Sequence, residues 1–378
     1  MAKSGSRAAN DLAALKSTVN TTLALLSQLQ NPAAPVTSTN AAKTEVNALD
    51  LAHDAASLIR AHSTKLSLLI INKPFTASAI TTVVRELVSG PLPGLASAVE
   101  LCDASKYTKA MHEELSYQVG RVFVEFGTLV KAIPLDGEIL SDDAKNGTGS
   151  TTGRGSLAIT GTVWQACDAV IGLRKLGIAG LVIRKAEQYR ATLKDALEEL
   201  QDWAEEESDG EDDGGNTGSG DEDEDEDDAQ AAVDNMFGNQ KHIPTDDPEK
   251  IRPRLDSSLK RIRLLGMMYQ AVVKRRFKTL PSLPLPESDP GKVEAKVIPD
   301  VVACVDEVLD TMKKIPDTVD ELPGAFYELD VKDIDEQMAK CFFSGLDALQ
   351  LLTKNWKGEE DEFTAWLQKF QLAMKKDT

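Results

Sequence analysis

Apolar residues recur every three or four positions along most of this chain. From Asp11 to Leu29 they fall at Leu12, Leu15, Val19, Leu26 and Leu29, with Thr22 filling the one gap, and this spacing predicts an amphipathic helix. The NPAAP run at Asn31 to Pro35 ends it, because proline has no amide donor and its ring disfavours helical geometry in the residue before it. A second helix is predicted over 44–71, with Leu51, Ala55, Leu58, Leu66 and Leu69 in one stripe. A third over 76–88 is closed by SGPLPG. Leu95 to Ile133 reads as one long helix or two, and 134–156 as a polar, glycine-spaced connector. Gly161 to Trp203 is again helical. Beyond a charged stretch, further helices are predicted over 255–280, 299–314, 331–356 and 359–375, with Val301, Val305, Val308 and Met312 lining one face and Ile334, Met338, Cys341, Phe342, Leu349 and Leu352 another. No segment alternates apolar and polar residues between turn signals, so the fold class is all-α, built from helical bundles.

Composition supports that reading and adds a division. Aromatic residues make up 5 % of the chain and hydrophobic ones 42 %, a balance that suits helices better than β-sandwiches. The net charge of −19 is local: Glu205 to Asp228 holds 15 acidic residues and no Lys or Arg, so the rest of the chain is close to neutral. Such a run repels itself and buries nothing, and is read as a disordered acidic insert. The expected organisation is an N-terminal helical domain over 1–206, an acidic linker over 207–243 and a C-terminal helical domain over 244–378. Within the insert, Ser208 and Ser219 each have a glutamate three residues on, Glu211 and Glu222, the context acid-directed kinases prefer. Both are candidate phosphorylation sites, each adding about −1.5 to −2 charge.

Charge of the other sign is concentrated between Lys250 and Lys278, where ten basic residues face one acidic residue, Asp256. Lys274, Arg275, Arg276 and Lys278 form a candidate nuclear-import patch or a contact for an acidic partner. The interleaved aromatics are few (Tyr269, Phe277), and the nearby acidic run competes with phosphate, which argues against nucleic acid. Cys102, Cys167, Cys304 and Cys341 stand singly, without a metal or disulfide pattern, and read as buried thiols. His53, His62 and His112 have no partner at ligand spacing. A DGEDDG run from Asp209 fails as a calcium loop, because its twelfth position is Gly220. No nucleophile elbow, phosphate loop, kinase set or dinucleotide fingerprint is present, so no enzyme and no cofactor is expected. The start of the chain lacks the apolar core of a signal peptide, and no apolar run is long enough to span a bilayer. The expected location is cytoplasm and nucleus. Trp164 and Trp203 are candidate interface or core anchors. With Cys167 three residues on, Trp164 reads as a packing residue.

Val163, Trp164, Ala166 and Cys167 in TGTVWQACDAV, then Lys194, Asp195, Ala196 and the Glu198-Glu199 pair in LVIRKAEQYRATLKDALEELQ, stand ahead of the acidic insert. In this order they resemble the cyclin-D1-binding protein 1 family, also called Grap2 and cyclin-D interacting proteins. A weaker resemblance continues in PDVVACVDEVLDTMKKIPDTVDEL. The resemblance implies a helical bundle with some likeness to vinculin and talin. It also implies a non-enzymatic regulator that restrains cell-cycle progression by binding D-type cyclins and helix-loop-helix proteins. The alternative is a vinculin-like adaptor for cytoskeletal or trafficking partners.

Overall fold

The computed structural model describes residues 2–30, 46–148, 154–209, 243–244, 246–285 and 300–375, and among these every regular element is a helix. The chain divides into two compact units, Met1–Leu181 and Val182–Thr378. The boundary between them lies four residues past Gly177, where the helical stretch Ser156–Asp209 is interrupted.

In the first unit, α1 (Ala2–Gln30), α2 (Ala48–Ile71), α3 (Ala77–Ser89), α4 (Pro91–Leu101) and α6 (Lys109–Lys131) pack on one another, with two short helices, α5 (Ala104–Tyr107) and α7 (Asp142–Asn146), in the connections. On α1, Leu15, Val19 and Leu26 are buried and so is Thr22, whose hydroxyl donates to the Thr18 carbonyl at 2.7 Å. That bond satisfies the one polar group on the apolar stripe. The α2 stripe is rotated from its expected position. Ala48, Ala52, Ala55, Ala56, Ile59, Ser63, Leu66, Ser67 and Ile70 face inward, while Leu58 is 50 % exposed. Small residues win this face because α4 approaches closely: a Cβ on Gly94 would stand 3.6 Å from that of Ala55.

Local chemistry sets the helix ends. The Asn47 side chain accepts from the amides of Leu49 and Asp50 to start α2, and the hydroxyl of buried Tyr107 accepts from the amide of Ala48 at 2.9 Å. SGPLPG closes α3 at Ser89, as expected, but the next helix begins inside that run rather than at Leu95. Pro91 opens α4 at a first-turn position, where a missing amide costs nothing. The segment from Leu95 to Ile133 is in turn broken at Asp103, which caps α5, and at Thr108, which caps α6.

Helix α8 (Ser156–Asp209) is interrupted at Gly177, whose φ of 64° and ψ of 178° only glycine adopts readily. Its first part belongs to the first unit and its last part to the second. There it joins α9 (Ile251–Arg275), a 3₁₀ turn at Phe277–Thr279, α10 (Val301–Asp320), α11 (Leu322–Tyr327), α12 (Val331–Leu351) and α13 (Glu362–Lys375). Helices α9 and α12 run parallel: Arg254 meets Asp335, Arg261 meets Phe342, and Leu265 lies against Gly345. A Cβ on Gly345 would come within 2.7 Å of Leu265, so the absent side chain permits this approach. The Val301, Val305, Val308 and Met312 face and the six expected α12 positions are all buried. Asp300 and Asp330 cap α10 and α12. Pro316 sits within α10 without ending it, so α10 extends past the expected Lys314.

Candidate functional site

Of the residues that carried the family resemblance, Val163, Trp164, Ala166 and Cys167 lie on the first part of α8, packed antiparallel to α2, whereas Lys194 to Glu199 lie on its last part, in the second unit. Arg60 pairs with Asp168 at 2.8 Å and Arg174 with Asp50 at 2.6 Å, while the Thr160 hydroxyl donates to Ser67 at 3.0 Å. Val163, Ala166, Cys167 and Val170 fill the buried side of this seam. Trp164 does not join them. It is 36 % exposed, its indole donates to the Thr64 hydroxyl at 3.0 Å, and the Arg60 guanidinium lies over its ring at 5.7 Å. Of the expected packing pair, only Cys167 is core. Trp164 caps the seam from outside, where one side chain is both apolar and wet. Trp203 is the opposite case: 4 % exposed, it packs on Phe326 and Tyr327 with ring centroids 5.9 and 5.7 Å away.

The basic tract is also divided by burial. Lys274, Arg275 and Lys278 are exposed, but Phe277 and Arg276 are buried, Arg276 with 1 % of its side chain accessible. Arg276 is therefore corrected from the surface patch to the core. Its Nη1 and Nη2 donate to the Asp361 carboxylate at 2.8 and 3.0 Å, its Nε donates to the Leu352 carbonyl at 2.9 Å, and its guanidinium covers Phe363 at 4.4 Å. The Trp356 indole returns a bond to the Arg276 carbonyl at 2.8 Å. The buried charge is matched by a carboxylate and by carbonyl oxygens, which is what allows it to lie inside. The guanidinium's hydrogen bond holds the Asp361 carboxyl below the usual carboxylate range. Arg275 reaches Glu362 at 3.4 Å.

A groove of about 620 Å³ opens on the second unit between the N-terminal half of α9, α12 and the end of α13. Ile334, Met338, Phe342 and Met374 form its buried floor, and Phe343, 67 % exposed, stands on its rim. Lys250, Arg254 and Arg261 line the other wall, with Arg254 held by Asp335 at 2.9 and 3.1 Å and Arg261 stacked over Phe342 at 4.6 Å. The periodicity argument missed this surface. Its available signal was the Phe342-Phe343 pair, since two neighbours on a helix cannot both face one core.

Other candidate groups separate from one another. Cys102, Cys167 and Cys341 are buried, and desolvation pushes their thiols up to about 12. His112 Nδ1 bonds the Cys102 carbonyl, and His53 and His62 stand by Asp54 and Glu86. Among the described residues no group of His, Cys, Asp and Glu is arranged to hold a metal, and no helix is long and apolar enough to cross a membrane. Ser219, the run from Gly210 to Asp228 and the side chain of Ser208 lie outside the described residues, as does most of the expected 207–243 linker.

Among the described residues the chain is all-helical, and its class is that of the helical-bundle proteins. More particularly, residues 52–206 match the family model described as Grap2 and cyclin-D-interacting, N-terminal, the family that the residues from Val163 to Glu199 resemble. An uncharacterized protein of Schizosaccharomyces pombe is 22 % identical over 323 residues, covering 85 % of this chain and 82 % of that protein.

Proposed function

We propose that this protein is a non-enzymatic, protein-binding regulator of cell-cycle progression whose partners include a D-type cyclin, and that it works in cytoplasm and nucleus. The observation that carries the reading is the match of residues 52–206 to a family whose description names cyclin-D interaction. That stretch includes the α2–α8 seam. Trp164, Arg60 and Thr64 offer a solvent-facing aromatic framed by a cation and a hydroxyl, a combination enriched at protein interfaces.

Affinity purification of the tagged full chain, with recovered proteins quantified by mass spectrometry, tests the reading. Enrichment of D-type cyclins over a tag-only control is expected, reduced about tenfold or more by Trp164→Ala. Recovery of actin-linked or membrane-traffic proteins without any cyclin overturns it in favour of the adaptor reading.

A further inference from the structure

The groove between α9, α12 and α13 holds an exposed phenylalanine in mid-helix beside a cationic wall, and none of its lining residues lies in the stretch matched by the family model. Among the described residues, exposed Phe343 beside the buried Met338 and Phe342 is an apolar surface without cover. Such grooves take an amphipathic segment whose apolar residues recur at helical spacing. The lining holds three cations and one carboxylate, Asp335, which Arg254 already engages. The complementary occupant is apolar on one side and acidic at one end.

The chain contains one such segment. Asp221 to Asp228 is eight consecutive acidic residues, followed by AQAAVDNMF, in which Val233, Met236 and Phe237 are spaced three and four apart with Ala229 one turn before. The other long stretches outside the described residues do not offer this. Residues 31–45 carry one Lys and one Glu, and 286–299 carry three acidic residues against two lysines. Six residue steps separate Phe237 from Ile243, which is buried ahead of the turn that leads into Lys250 on the groove wall, an extended reach of up to about 20 Å. A segment tethered this closely meets the groove at roughly millimolar effective concentration.

We infer that residues 221–237 are the groove's occupant, with Met236 and Phe237 seated against Phe343 and Met338 and the acidic run toward Lys250 and Arg261. This contact is independent of cyclin binding, because both partners lie outside residues 52–206.

The test uses the full chain with Phe343→p-benzoylphenylalanine, a position exposed enough to accept the change without disturbing the core. Equal amounts of light and isotopically heavy chain are mixed, irradiated, digested and mapped by mass spectrometry. The expected product joins residue 343 to a peptide containing residues 229–240 of the same molecule. Its yield should fall fivefold or more with Met236→Ser and Phe237→Ser together, and at least twofold when Asp221 to Asp228 are changed to their amides. Cross-links between light and heavy chains would assign the groove to a second copy. That result, capture of another segment, absence of any cross-link, or yields indifferent to either set of substitutions would each overturn the inference.

Discussion

Two arginine–aspartate pairs in this molecule have the same shortest distance and opposite energetic standing. Arg60 meets Asp168 at 2.8 Å on the α2–α8 seam with side chains 44 % and 55 % exposed, whereas Arg276 meets Asp361 at 2.8 Å with the guanidinium 1 % exposed. The exposed pair keeps most of its hydration apart as well as together, so joining it changes little. The buried guanidinium has surrendered its water and depends on Asp361 and the carbonyl of Leu352 instead. Distance does not rank these pairs. Solvent does.

The sharpest way to break the comparison is to leave the buried charge without its partner. Asp361→Ala does this and should cost about 3–5 kcal/mol in urea unfolding. Hydrogen exchange should rise in α12 and α13 and not in α2 and α6, which belong to the other compact unit. The same pair predicts an acid response. The bond from Arg276 lowers the Asp361 carboxyl below its unfolded value, so its contribution is complete at neutral pH and is lost as pH falls through the ordinary carboxylate range, about 4 and below. Acidification should therefore weaken the wild-type chain more than Asp361→Asn, as read from unfolding midpoints across that range.

The tryptophans give a second contrast of the same kind. Trp203→Ala removes a core ring between Phe326 and Tyr327 and should cost about 3–4 kcal/mol by the same measurement. Trp164→Ala removes an exposed hydrogen bond and a cation–π contact and should cost about 1 kcal/mol, while still reducing partner recovery. Equal losses would mean that Trp164 is as much a core residue as Trp203.

Why burial divided residues that the sequence presents alike follows from what periodicity records. Val301 to Met312 and Ile334 to Leu352 were legible because large apolar residues mark a face directly, and Thr22 was legible as the gap within such a face. The α2 face was misplaced because its contacts are made by Ala and Ser, which close approach to α4 favours, while Leu58 and Leu68 remain in solvent. In KRRFK all four cations look equivalent. Arg276 differs only because Asp361, the residue just before α13 and more than eighty positions downstream, meets it, and that is a tertiary fact with no local trace. The family resemblance around Trp164 was legible from short motifs, but whether each member of the motif faced inward was not. Trp164 and Cys167 are three apart, an offset of roughly 60° on a helix, enough to carry one to the rim while the other stays in the core.

The smallest effect is the one that tests whether exposure is the right variable. A double-mutant cycle on Arg60 and Asp168, each changed to Ala singly and together, should give a coupling of about 0.2–1 kcal/mol, fading in molar salt. The Arg276–Asp361 cycle should exceed it several-fold and resist salt, because counterions do not reach a guanidinium that water barely touches. Arg60 has a second contact that complicates the cycle, since its guanidinium also lies over Trp164. Repeating it in a Trp164→Ala background removes that contribution. A coupling that stays near 3 kcal/mol there would show that the seam excludes solvent despite its exposed side chains, and the contrast between the two units would then have to be sought in something other than burial.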